Sequence, residues 1–166
     1  MWSRGAIGGP FQLTDSAGTR RSLAEFRGKI VALYFGYTFC PDICPTDLVA
    51  IARAIELLGA KGDDIQPVFI SVDPERDTPK LIGEYVNSIS PRLVGLTGTP
   101  DEIRAVADSY KVYFEKTGGA EGASYLIDHS AVIYFIGREG NYMGYAPPQT
   151  SPERLADILR QLHSQK

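Results

Sequence analysis

A chain of 166 residues and 18.1 kDa has the length of one domain, and can bury about 70% of its unfolded surface without staples. A formal net charge of −3 and a pI near 5.4 argue against nucleic acid as the main partner, because phosphate binding needs a basic surface. Two cysteines, Cys40 and Cys44, are too few for a disulfide scaffold, and no run of 18 apolar residues offers a membrane span.

In chain order, Met1 to Gly9 reads as a loose lead-in with neither a signal-peptide core nor a lipidation signal. It is expected to be the stub left by removal of an anchor, with one domain over residues 10–166. Phe11 to Leu13 is a short peripheral strand. Ile30 to Phe35 is apolar throughout, as a strand buried on both faces should be. Leu48, Ile51, Ala52, Ile55 and Leu58 then recur at helical spacing until Gly59 stops them.

Gln66 to Val72 is the next buried strand. Thr78-Pro79 caps a helix carrying Leu81, Ile82, Tyr85, Val86 and Ile89. Leu93 to Leu96 is a strand, and Thr99-Pro100 with Glu102 forms a capping box ahead of Ile103, Val106, Ala107 and Tyr110. Lys111 to Phe114 and Ser124 to Ile127 flank the glycine-rich Gly118 to Gly122, as a hairpin or a mobile loop. Ala131 to Ile136 and Tyr142 to Tyr145, joined through Gly137 to Asn141, predict an antiparallel hairpin. Ser151-Pro152 caps a last helix with Leu155, Ile158, Leu159 and Leu162. This order predicts an α/β thioredoxin-like fold, a mixed central sheet flanked by helices with extra N-terminal and hairpin elements.

Ligands in such sheets bind in the loop after a parallel strand, here Gly36 to Pro45. With the helix expected after Pro45, both thiols lie at a helix N-terminus, where the dipole favours thiolate over thiol. Cys44 precedes a proline and is expected outside helical angles. The spacing is Cys-x-x-x-Cys, not the Cys-x-x-Cys of a dithiol oxidoreductase. It allows two thiolates on one metal, a disulfide, or two small residues filling space.

Two thiolates leave a metal site incomplete, and the chain has two histidines. His163 lies past the last apolar turn of the terminal helix and reads as a solvated end residue. His129 opens the Ala131 to Ile136 strand; it is either a polar strand-end residue or, on the rim that bears the cysteine loop, a third ligand. Asp42 and Asp128 are near enough in sequence to add an oxygen. Asp73 to Thr78 reads first as a structural turn and second as a partner contact on the same rim. Tyr34 and Phe35 read as core; Tyr37 and Phe39 flank the approach to Cys40, and Trp2 lies outside the domain.

Gly36-Tyr37-Thr38-Phe39-Cys40-Pro41-Asp42-Ile43-Cys44-Pro45-Thr46, Ser71 to Pro79, and Asp128-His129-Ser130, in this order and separation, resemble the Sco/SenC family of copper-binding cytochrome c oxidase assembly proteins. The resemblance covers nearly everything from Gly9 to the terminal helix. It implies that Cys40, Cys44 and His129 bind Cu(I) and Cu(II). It also implies delivery of copper to the dinuclear site of cytochrome c oxidase subunit II, or reduction of that subunit's cysteines. Other copper chaperones or thiol reductants are the further partners it implies. Members sit in the periplasm or mitochondrial intermembrane space on an N-terminal helix that this chain does not contain.

Donor chemistry agrees with this ligand set. Soft thiolates select Cu(I) or zinc, imidazole suits either, and three ligands suffice for Cu(I), whereas structural zinc wants a fourth. Two functions follow. A metallochaperone needs His129 beside both sulfurs, whereas a thiol-disulfide oxidoreductase needs Cys40 and Cys44 to cycle and can spare His129. A thiol peroxidase would need an activating arginine near Cys40 in sequence, and none is there.

Overall fold

The computed structural model describes residues 7–39, 43–118, 125–129 and 131–165, with backbone alone for 43–44, 115–118 and 125–129. The strands are β1 (Gln12–Asp15), β2 (Arg20–Ser22), β3 (Ile30–Gly36), β4 (Ile65–Ser71), β5 (Val94–Thr97), β6 (Phe114–Gly118), β7 (Tyr125–His129), β8 (Ile133–Ile136) and β9 (Tyr142–Ala146). The helices are α1 (Ile43–Leu57), α2 (Pro79–Ile89), α3 (Pro100–Ser109) and α4 (Pro152–His163), with 3-10 turns at Leu23–Phe26 and Gly59–Asp64.

Seven strands form one mixed sheet in the order β2-β1-β5-β4-β3-β8-β9. β3, β4 and β5 run parallel, and β1 and β8 flank them antiparallel. Alternation along β3 divides the core. Ile30, Ala32 and Tyr34 join α1, α2 and α4 on one face, while Val31, Leu33 and Phe35 join α3 on the other. The result is a three-layer α/β sandwich of the thioredoxin-like kind. β3 and β4 are central and covered on both sides, which is why neither alternates with polar residues. Gly95 is required by close packing: a Cβ there would sit 2.3 Å from Ile82 Cγ2 of α2.

The capping reading holds. Thr78, Thr99 and Ser151 each accept a backbone N–H from the first turn, and Glu102 returns the bond to Thr99. A hairpin forms, β6 with β7 set apart from the main sheet, but its first arm is Phe114–Gly118 rather than Lys111 to Phe114. Lys111 takes a left-handed φ of 59° and Val112 N–H bonds back to Ala107 O, so the chain is still leaving α3 there. Residues 119–124 lie outside the described residues. The β8–β9 hairpin is also as expected. At the other end, Gly8 N–H donates to Ser109 O (2.8 Å) and the Tyr110 hydroxyl to Gly9 O (3.0 Å), fastening the chain ahead of β1 to the end of α3.

Three further expectations need correcting. The peripheral N-terminal strand is one half of a β1–β2 hairpin, and β2 forms the sheet edge. α1 begins at Ile43, not after Pro45, so Cys44 is its second residue. Pro45 is tolerated because first-turn N–H groups have no intrahelical acceptor and its fixed φ is already helical. His129 closes β7 rather than opening the next strand, which starts at Ile133. Among the described residues no helix is long and apolar enough to cross a membrane.

Candidate metal centre

β3 delivers the chain to the site. Its last residue, Gly36, accepts from Val72 N–H (2.8 Å), so the ends of β3 and β4 stay paired as the loops diverge. Tyr37 remains buried while Phe39 is exposed. Between them, Thr38 is fixed by Asp77 of the β4–α2 loop. Thr38 N–H donates to Asp77 Oδ2 (3.0 Å), and its hydroxyl donates to Oδ1 (2.6 Å). The Ser71 hydroxyl donates to Oδ2 at 2.6 Å and accepts from Asp73 N–H at 3.0 Å. Asp77 is fully buried. Burial pushes its carboxyl above the usual carboxylate range, against the opposing pull of the Ser71 and Thr38 hydrogen bonds.

Arg76 completes this side. Its Nε donates to the Asp73 carboxylate, and its guanidinium carbon lies 4.5 Å from the Phe39 ring centroid and 5.7 Å from that of Tyr37. An open groove lined by Thr38, Phe39, Leu81, Glu84 and Tyr85 runs between this loop and α2.

A second buried carboxylate, Asp47, stands on the far side, three residues after Cys44 in α1. It accepts from the Tyr34 hydroxyl (2.9 Å) and from Gln149 N–H (2.7 Å). Tyr34 is core, as expected, yet its hydroxyl also pins the start of α1 to β3. Gln149 holds a left-handed φ of 65° in the β9–α4 loop that brings its N–H to Asp47.

The expected ligands distribute over this frame. Cys40 and Asp42 lie outside the described residues. Cys44 occupies the first turn of α1, where the helix dipole favours a thiolate. His129 is register partner to Phe114 across the β6–β7 hairpin, and Asp128 to Glu115. Phe114 packs into the same apolar cluster as Tyr37 and Val72 and lies beneath the Arg104 guanidinium at 4.1 Å. With Val72, Asp73 and Glu75, it lines a groove at the end of β4. The backbone of His129 is therefore carried to the sheet end from which α1 departs.

His163 is elsewhere. Its Nε2 lies 2.8 Å from Asp64 Oδ2 just ahead of β4, and this hydrogen bond lowers the Asp64 pKa. It ties α4 to the opposite sheet end instead of standing free in solvent.

Two buried carboxylates of this frame escaped the sequence reading. Asp77 resembled an ordinary residue ahead of a cap, and Asp47 a polar position inside an amphipathic helix. The one legible signal was Asp47 itself, an acid among Leu48, Ala50 and Ile51.

Comparison with known proteins fits this frame. The family model SCO1/SenC matches residues 2–164. Protein SCO1 homolog 1, mitochondrial, from Arabidopsis thaliana is 46% identical over 155 residues, which are 93% of this chain and 46% of the relative. The chain thus spans about half the length of that curated relative. The crystal structure of Arabidopsis thaliana ScoI with copper bound is 44% identical, with a TM-score of 0.89 over 96% of this chain and 100% of that one. The structure of Bradyrhizobium japonicum ScoI with copper bound is 43% identical, with a TM-score of 0.86 over 95% of this chain and 99% of that one.

Proposed function

The chain belongs to the SCO1/SenC family, and from that premise we propose that it is a copper metallochaperone holding Cu(I) or Cu(II) through Cys40, Cys44 and His129. Its cargo passes to the dinuclear copper site of cytochrome c oxidase subunit II, in the periplasm or the mitochondrial intermembrane space. One observation carries the reading: relatives solved with copper bound superimpose on this chain over nearly its whole length at 43–44% identity. The donor set fits the cargo, because thiolate and imidazole together suit Cu(I). Three protein ligands leave a position through which an acceptor's ligand can enter.

In this reading the fold has three tasks. α1 carries Cys44 at its positive end, the β6–β7 hairpin carries His129, and the open groove beside Phe39 gives the acceptor a place to approach. Anaerobic Cu(I) titration tests it. The wild-type chain should retain one copper, Cys40→Ala, Cys44→Ala and His129→Ala should each lose affinity sharply, and affinity should weaken as pH falls because the ligands bind deprotonated. Copper should then move to a purified subunit II copper domain. A wild-type chain that retains no copper overturns the proposal.

The placement of Cys44 in the first turn of α1 favours a second reading, a thiol-disulfide oxidoreductase that reduces the acceptor's cysteines. There Cys40 and Cys44 pass from dithiol to disulfide as the acceptor disulfide becomes a dithiol, and His129→Ala retains activity.

A further inference from the structure

We infer that Asp77, seconded by Arg76, is a positioning residue for the copper-binding thiols: it holds the segment entering Cys40 in place by clamping Thr38 from the neighbouring β4–α2 loop. The inference rests on the reading of Cys40 and Cys44 as copper ligands.

The bonding pattern separates this role from that of a turn residue. A carboxylate that merely shaped the β4–α2 turn would spend its bonds inside residues 71–78. Asp77 receives one there, from Ser71, and two from Thr38, which is 39 positions away in sequence and two before Cys40. Both carboxylate oxygens are used, and both side-chain donors are neutral hydroxyls, one at the end of β4 and one in the loop after β3. The two O–H donors stand at 2.6 Å, within the range for strong hydrogen bonds to an ionised oxygen.

The turn's own needs are met by other groups. Asp77 N–H and Arg76 N–H both donate to Asp73 O, and Thr78 caps α2. A buried carboxylate is costly. Here its side-chain bonds cross to the segment that enters Cys40.

Arg76 acts on the residues either side of Thr38. Its guanidinium, bonded to Asp73, lies over the exposed ring of Phe39 and, at longer range, over that of the buried Tyr37. Tyr37, Thr38 and Phe39 are thus held in succession by two adjacent side chains of another loop. Outer partners of this kind, which orient metal ligands without touching the metal, typically change affinity 10–100-fold when removed.

The test compares Asp77→Ala, Asp77→Asn and Arg76→Lys with the wild-type chain by Cu(I) competition and stopped-flow copper release, with Cu(II)–thiolate absorption as a spectroscopic readout. Asp77→Ala should weaken copper by about 10–100-fold and shift the charge-transfer band. Asp77→Asn should recover much of the loss, since its amide can donate to Thr38 Oγ1 and its oxygen can accept from Thr38 N–H and Ser71. Arg76→Lys should give a smaller loss, because an ammonium lacks the planar group that covers Phe39.

Thr99→Ala, which opens the capping box of α3, is the stability control and should leave copper affinity unchanged. If Asp77→Ala does not fold, Thr38→Val removes the hydroxyl bond while keeping the side chain's shape, and should reproduce the loss in weaker form. Copper release and absorption equal to wild type in Asp77→Ala, or in Thr38→Val when only that variant folds, overturn the inference while leaving the metallochaperone reading intact. If the wild-type chain binds no copper, that reading falls. The clamp is then judged by the Cys40–Cys44 dithiol–disulfide equilibrium against glutathione, which Asp77→Ala should shift about tenfold; no shift rejects it.

Discussion

Asp77 and Glu102 are carboxylates at the starts of successive helices, in opposite surroundings. Asp77 is buried and receives only neutral donors from Thr38 and Ser71. Glu102 is partly exposed, closes the α3 capping box with Thr99 N–H, and meets Arg20 of β2 at 2.8 Å. Their pKa values move apart accordingly. Burial raises that of Asp77, while the Arg20 hydrogen bond, followed by the Thr99 N–H, lowers that of Glu102. Charge placed beside water and a guanidinium serves stability. Charge buried between two loops contributes less to stability than to holding a geometry.

The largest way to sharpen that contrast lies at the ligands themselves. Loss of Cys44 or His129 should cost more copper affinity than the roughly 100-fold that outer partners command, with little change in the denaturation midpoint. Next is Asp47→Ala, which removes a buried carboxylate that accepts from the Tyr34 hydroxyl and from the Gln149 N–H. A loss of about 1–3 kcal/mol is expected from urea denaturation, together with weaker copper retention because α1 is no longer pinned beside Cys44.

Thr99→Ala should cost about 1 kcal/mol and no copper affinity. Arg20→Ala should cost between about 0 and 1 kcal/mol, shrinking further in high salt, since its partner is exposed on a surface edge.

Titration gives the comparison opposite signs. Glu102, with its folded pKa lowered, contributes stability above the ordinary glutamate range and loses it as pH falls through the lowered value. Asp77, with its folded pKa raised, favours the folded state most below the ordinary aspartate range, and its contribution declines as pH rises through the raised value. Denaturation midpoints across acidic pH should therefore show Glu102→Gln converging on wild type in acid. Asp77→Asn should lack one downward slope with rising pH. Parallel curves for the two variants would erase the distinction.

Much of the fold was legible because it follows from local rules. The apolar runs of β3 and β4 announced buried parallel strands, and three hydroxyl-proline pairs marked helix starts that the structure places within a residue. β2 was missed because Arg20, Arg21 and Ser22 carry no apolar face; their pairing with β1 creates the strand. The start of α1 was misplaced because proline was read as a boundary, although a helix's first turn accepts it.

The proposed ligands Cys40, Cys44 and His129 stand out in the sequence by residue type and motif. The buried carboxylates that tie the neighbouring loops do not: Asp47 reaches Gln149 over 102 positions and Asp77 reaches Thr38 over 39, and no spacing rule spans such distances.

The central claim is that two thiolates and one imidazole hold the copper, and X-ray absorption of the anaerobically Cu(I)-loaded chain tests it most directly. Two sulfur scatterers and one nitrogen scatterer are predicted for wild type, with the nitrogen contribution lost in His129→Ala. A spectrum unchanged by His129→Ala, or a wild-type site of sulfur alone, would contradict it.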